Sequence, residues 1–303
     1  AGQGIHPAAV PCGDDPPADD TPAADEQPAG SPLSIVGEGA EVSFSKGLIG
    51  QALDLPAGRF VEGAGTIKFT GSQPLTLSTW LQPRSLQSGT IMSFLNTEDA
   101  RATGFSWKLV DNHVQVNFGP RWLDDAIIIR SKQALPVGEW SHLALVHDGS
   151  QLAIGLQLYI NGERQDVDVL LDIFTGDFTT SDTLQVGSEG GSLLLDGRVD
   201  ETRVYQRALK PQELAVLACS DSIQQICRLA AAERSVAQQA KLRHLFLDRH
   251  APQQLQQLFH ARRDRQQKLE SARRLVPTVM VMQESADPRP FARVTACSPA
   301  GAG

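Results

Sequence analysis

Between Leu33 and about Asp200, short apolar runs alternate with Gly-rich turns. Leu156, Leu158 and Ile160 alternate with Gln157 and Tyr159, the period of a half-buried strand. The apolar-rich run Trp140 to His147 precedes them. Asp148-Gly149-Ser150 lies between as turn chemistry, since Asp and Gly tolerate left-handed backbone angles. Asn161-Gly162 follows and suits a type I′ hairpin, which needs positive φ at both central residues. The same texture predicts strands at 41–45, 51–55, 66–69, 75–82, 89–95, 104–110, 113–118, 126–130, 140–147, 155–160, 183–187 and 197–205. Short strands with turn signals at regular spacing read as an all-β sandwich or barrel. No helix-length amphipathic stretch interrupts them, which argues against a parallel α/β sheet.

After Tyr205 the period changes. Pro211 suits the first turn of a short helix. Ile223, Ile226 and Cys227 then repeat at i, i+3, i+4, as do Leu242, Leu245, Phe246 and Leu255, Leu258, Phe259. His250-Ala251-Pro252 breaks the run, so two helices joined near Pro252 are expected. The resulting organisation is a disordered acidic Pro/Ala-rich linker at 1–32, a β domain at 33–218 and an amphipathic helical segment at 219–275. Residues 276–303 read as a tail or the truncated start of a following domain.

Composition sharpens this partition. The 303 residues carry a net charge of −8, which argues against general nucleic-acid binding. The charge is uneven: residues 1–32 hold six carboxylates and no Lys or Arg, whereas 222–275 hold eleven Lys or Arg against four acids, or +7. The first segment has too little aliphatic bulk to offset its ordering entropy. The basic segment reads as the solvated face of an amphipathic helix pair rather than a nucleic-acid or lipid surface. No apolar run is long enough for a transmembrane helix. Cys12, Cys219, Cys227 and Cys297 are scattered with no Cys-x-x-Cys, so zinc, thioredoxin-like and c-type haem readings fall away.

A series of phrases now resembles a known family. Gly50-Gln-Ala-Leu-Asp-Leu, Leu75-Thr-Leu-Ser-Thr-Trp-Leu-Gln-Pro, Gly138-Glu-Trp-Ser-His-Leu-Ala-Leu-Val-His-Asp-Gly, Leu158-Tyr-Ile-Asn-Gly, Leu184-Gln-Val-Gly and Gly197-Arg-Val-Asp-Glu-Thr-Arg-Val-Tyr come in the order of laminin-G-like, concanavalin-A-like jelly-roll domains. The resemblance covers about 33–218 and implies a two-sheet antiparallel jelly-roll sandwich with an α-helical C-terminal extension. Arg121-Trp-Leu-Asp-Asp-Ala-Ile-Ile-Ile-Arg is similar to the version in large planctomycete surface proteins. There the domain is inserted between domains of unknown function, often behind a cytochrome-c-like haem domain. That resemblance implies an extracellular, periplasmic or cell-envelope setting and flanking domains as partners. The haem motif is absent from this sequence, so no haem is carried over.

The fold also hosts glycoside hydrolases, which place carboxylates at Glu-x-Asp-x-x-Glu on one strand so that alternate residues share a cleft. Glu98-Asp99 and Asp200-Glu201 are adjacent pairs without a third acid at that spacing, so a non-catalytic domain is expected. His142 and His147 are five apart on one strand and point to opposite faces. Asp200, with Asp54 or Asp148, is a candidate for a structural calcium, an ion that takes six to eight oxygens; the competing expectation is that Asp200 anchors a neighbouring loop. Sugar binding needs aromatic rings and planar polar groups. Trp122, with Arg121 and Asp124 beside it, is the leading candidate, and Trp107 and Tyr159 follow. Trp80 and Trp140 are assigned to the core. Two functions compete: a binding or adhesion module for polysaccharide, and a spacer that positions flanking domains.

Overall fold

The computed structural model describes residues 33–36, 43–56, 58–66, 69–96, 103–175, 178–180 and 183–274. The expected linker at 1–32, the tail at 276–303 and the Glu98-Asp99 pair lie outside them. In chain order the first strands are β1 (Leu33–Val36), β2 (Ser43–Lys46), β3 (Gln51–Leu55), β4 (Phe60–Thr66), β5 (Phe69–Thr70), β6 (Leu75–Pro83), β7 (Gly89–Asn96), β8 (Thr103–Val110) and β9 (His113–Arg121). They are followed by β10 (Asp125–Ala134), β11 (Ser141–His147), β12 (Leu156–Ile160), β13 (Glu163–Arg164), β14 (Val167–Ile173), β15 (Thr179–Thr180), β16 (Thr183–Val186) and β17 (Gly197–Tyr205). Helices α1 (Pro211–Leu217), α2 (Ile223–Arg228), α3 (Val236–Leu245) and α4 (Gln253–Arg274) complete the chain.

The strands form an antiparallel sheet of eight in the order β1-β4-β16-β7-β8-β9-β10-β14 and one of seven in the order β13-β12-β11-β6-β17-β3-β2; β5 and β15 pair separately. This is the expected two-sheet antiparallel sandwich. Alternation sends one side of each strand between the sheets. Phe105, Trp107 and Leu109 of β8, Val114, Val116 and Phe118 of β9, and Ile127 and Ile129 of β10 meet Leu77, Leu81, Leu143, Leu145 and Leu158 of the second sheet. Side chains of this size contribute about 1.5–3 kcal/mol each on full burial.

Strand β11 is buried along its whole length. Its inner residues enter that core. Its outer residues Ala144 and Val146 join Tyr159 of β12 and Leu209, Leu214 and Leu217 around α1 in a second cluster. Because α1 covers the outside, the strand is apolar on both faces, which is why its sequence reads as a run. The Asn161-Gly162 turn has φ of 52° and 81° and joins β12 to β13, as predicted. Asp111 and Asn112, at 51° and 60°, make the turn between β8 and β9.

Helix α1 starts at Pro211. Glu213 accepts from the Lys210 backbone N–H at 2.8 Å, and Arg207 Nη2 donates to it at 2.8 Å. The chain divides into two compact units, Ala1–Phe246 and Leu247–Gly303. The first therefore extends past residue 218 to include α1, α2 and α3. A π-type turn at Phe246–His250 follows α3, and α4 begins beyond Pro252. On α4, Leu255, Leu258 and Leu269 are exposed. No helix among the described residues is long and apolar enough to cross a membrane. Cys219 is a free thiol.

Candidate functional site

The side of the eight-stranded sheet that faces away from the core is polar. With Phe105, Trp107 and Leu109 inside, Ser106 and Lys108 must point out; the same alternation puts Gln115 and Asn117 of β9 and Arg130 of β10 outside. Register sets them in rows. Thr90 pairs with Lys108, Lys108 with Gln115, and Gln115 with Arg130; in the next row Ser93 pairs with Ser106 and Ser106 with Asn117. Lys108 and Arg130 thus stand two strands apart, about 10 Å.

These outward groups are nonetheless largely withdrawn from solvent: Ser106 is fully buried, Gln115 7% exposed and Asn117 5%. They are satisfied by one another and by the segment before β17. Glu189 is the hub. Lys108 Nζ lies 3.0 Å from its Oε2, Ser106 Oγ donates to the same oxygen at 2.6 Å, and Thr90 Oγ1 donates at 3.5 Å. Ser93 Oγ donates to the Ser188 carbonyl at 2.7 Å. Arg130 donates to Gln115 Oε1 through Nε at 2.9 Å, and Gln115 Nε2 donates to Asn117 Oδ1 at 2.8 Å.

Trp122 sits in the turn between β9 and β10, and Lys108 Nζ lies 4.9 Å from its ring centre. A partly desolvated cation over an indole face contributes about 0.5–2 kcal/mol. The Trp122 Nε1–H is shielded from solvent and has no hydrogen-bond acceptor among the described residues. Arg121 and Asp124 close the same turn with an exposed ion pair of 2.9 Å, so each occupies the other.

Trp107, the other ring nominated for sugar stacking, requires a correction. It is fully buried in the sandwich core, because β8 alternation turns it inward, and it has no face to offer a ligand. Tyr159 is also buried, in the cluster beneath α1, with its hydroxyl on Gln157 at 3.0 Å. Trp80 is buried as expected, whereas Trp140 is only partly buried and lies under Arg198 at 5.5 Å.

The calcium expectation also meets a geometry that does not suit it. Asp200 Oδ2 accepts the backbone N–H groups of Leu48 and Ile49, each at 3.0 Å. A Cβ on Gly47 would meet the same oxygen at 2.5 Å, so glycine is required for the loop to reach it. Asp54 is bonded by Arg84, which also bonds Asp196 at 2.8 Å. Asp148 Oδ1 accepts from the Ser150 N–H at 2.8 Å. Each carboxylate thus has protein donors where a cation would require only acceptors, and among the described residues no three His, Cys, Asp or Glu are grouped to hold a metal ion.

The histidines part as predicted. His147 packs against Phe118 in the core with ring centres 4.5 Å apart, and its Nδ1 is 3.0 Å from the Gln73 carbonyl. His142 lies on the outer face beside Trp80, at 5.2 Å. Burial, with the nearby Arg203 charge, pushes the His142 pKa down to about 3. Burial lowers that of His147 as well, against the opposing hydrogen bond to Gln73 and the charge of Asp148. Both are neutral scaffold at neutral pH.

Lys108, Gln115, Asn117, Arg130 and Glu189 were not singled out by sequence reasoning. Glu189 is more than eighty positions from Ser106 and Lys108 in sequence. The available signal was the polar half of three consecutive hairpin strands, which carries Ser, Lys, Gln, Asn and Arg where Thr or Val would have been sufficient for a sheet surface.

A family model described as the concanavalin A-like lectin/glucanases superfamily, Laminin_G_3, matches residues 57–215. Among solved structures, the chain is similar to domain 4 of AbnA, a GH43 extracellular arabinanase from Geobacillus stearothermophilus, in complex with arabinotriose; identity is 22%, coverage 63% of this chain and 89% of that one, and the TM-score 0.42. It is similar to the binding domain of Paraclostridial Mosquitocidal Protein 1 at 17% identity, over 62% of this chain and 47% of that one, with a TM-score of 0.46. A third similar structure is the native heptameric SAP-like pentraxin from Limulus polyphemus, at 14% identity over 64% and 85% of the two chains, with a TM-score of 0.43. The curated proteins include no sequence that matches.

Proposed function

From the premise that the chain belongs to the concanavalin A-like lectin/glucanases superfamily, we propose that it is a non-catalytic module that binds polysaccharide on the outer face of its eight-stranded sheet. The observation that carries the reading is the row Lys108, Gln115 and Arg130 across β8, β9 and β10, with the Trp122 ring against Lys108. An indole beside planar amide and guanidinium groups offers a sugar both an apolar face and paired donors. The acids near this row support binding over hydrolysis. Glu189 is a hydrogen-bond hub for three strand side chains, and Asp200 and Glu201 belong to the other sheet, where Glu201 bonds Arg203. We assign the module to an extracellular, periplasmic or cell-envelope setting beside flanking domains, in keeping with the resemblance to planctomycete surface proteins.

A glycan array read with the full chain and with Trp122→Ala tests the assignment. Binding to plant or algal polysaccharides that Trp122→Ala weakens on the order of tenfold or more is expected, from the loss of about 1–3 kcal/mol of ring contact. A chain that binds no glycan is instead a spacer positioning its neighbours.

A further inference from the structure

Arg130 is a cation of the polar face that forms no ion pair among the described residues. Its Nε and Nη2 both donate to Gln115 Oε1, at 2.9 and 2.5 Å. A guanidinium has five N–H donors. That bond uses the Nε side of the fork and leaves the Nη1–Nη2 end, with two parallel N–H vectors, unpaired among the described residues. Asp168 stands opposite Arg130 in the ladder with β14 but forms no ion pair with it. Lys108 is already matched to Glu189 at 3.0 Å. Gln115 is itself fixed through Asn117, so the guanidinium is held in place at the cost of a neutral acceptor. Two parallel N–H donors on a pre-oriented guanidinium fit a planar carboxylate.

We propose that the Arg130 end of the row receives a sugar carboxylate, so that the polysaccharide taken by this module contains uronic acid. The inference rests on the polar face being the glycan platform. Trp122 over Lys108 would stack one sugar ring while Arg130, about 10 Å away across two strand spacings, would take the carboxylate of the next ring or the next but one. The chain as a whole carries −8, so bulk electrostatics repels an acidic polymer and attraction has to come from a local site.

The test measures binding of the full chain to oligogalacturonate, to its methyl ester, to a neutral glucan and to a sulfated galactan at physiological salt. Arg130→Gln, Arg130→Lys and Trp122→Ala are compared, with Arg262→Gln/Arg263→Gln on α4 as a control for loose charge attraction. The inference expects binding to the free acid but not to the ester. It expects loss on the order of tenfold to a hundredfold in Arg130→Gln, a partial loss in Arg130→Lys and no change in the α4 variant. Unchanged melting of Arg130→Gln confirms that it folds; if it does not, Arg130→Lys alone decides, through its ratio of acid to ester binding. Equal binding of acid, ester and glucan that Trp122→Ala abolishes overturns the carboxylate and leaves the platform standing. Binding only of the sulfated polymer, or acid binding lost in the α4 variant but not in Arg130→Gln, also overturns it. No binding to any of the four removes the platform itself.

Discussion

The two outer faces of the sandwich have been finished in opposite ways. On the seven-stranded sheet, α1 is laid over β11 and β12, and the gap is filled with Ala144, Val146, Leu209, Leu214 and Leu217. On the eight-stranded sheet a comparable depth of burial is reached with Ser106, Lys108, Gln115 and Asn117, each held by hydrogen bonds. Hydrocarbon would have closed the second face more cheaply, since paired polar groups must first be stripped of water. A protein that keeps a polar network where apolar packing would do has given up stability there, and such exceptions gather at working surfaces. The first face is scaffold; the second is the surface to interrogate.

The largest expected effect contrasts the faces directly. Leu214→Ala opens a cavity under α1 and should cost about 2–5 kcal/mol, whereas Gln115→Leu on the polar face leaves Asn117 and Arg130 short of a partner and should cost about 1–3 kcal/mol. Urea unfolding of both variants measures the difference. Equal costs would mean that the polar face is as structural as the other.

Next comes the loop anchor on the scaffold side. Asp200→Ala removes the acceptor for two backbone N–H groups and should lower stability by about 1–3 kcal/mol. The wild-type melting temperature should not respond to chelator or to added calcium. A calcium-dependent rise absent from Asp200→Ala would restore the metal to this edge.

The smallest effect is a pH slope. His142 is held neutral on the covered face, its pKa lowered to about 3 from 6.5. The unfolded chain takes up a proton below about pH 6.5 that the folded chain refuses until about pH 3. Its contribution is therefore fully present above the unfolded value and is lost as pH falls through that window, at up to about 1.4 kcal/mol per pH unit. Denaturation midpoints at pH 7, 6, 5 and 4 should fall in wild type and fall less steeply in His142→Gln, with His147 accounting for part of the remaining slope. An unchanged slope would show that the covered face admits water and resembles the polar one.

Much of the scaffold could be read before any coordinates. Asn161-Gly162 announced its turn because few other pairs tolerate positive φ twice in succession, and Pro211 marked the start of α1. The edge strand β14 escaped because its ladder with β10 skips Leu170. That bulge interrupts the two-residue period on which strand reading depends, and Val169, Leu170 and Ile173 are exposed besides. The Trp122 turn was visible as an aromatic flanked by opposite charges. Its partners were not, since Lys108, Gln115 and Arg130 become neighbours only through the registers of two hairpins, and Glu189 arrives from a different part of the chain. Trp107 misled because an indole in a sequence looks the same whether it faces solvent or core. Strand parity decides that, and the turn at Asp111-Asn112 sets how β8 and β9 face each other.

Strand β17 has a temporal consequence. It lies between β6 and β3, and its Asp200 ties down a loop 152 positions earlier. A ribosome adding about 5–20 residues per second finishes β3 roughly 8 to 30 s before β17 emerges. Until β17 arrives, β3, paired with β2, and β6, paired with β11, each keep one edge of unpaired backbone, while the hairpins β7-β8-β9-β10 can already close on local contacts. The strand rows of the polar face can therefore form early, whereas its hub Glu189 and the closing strand β17 both arrive late.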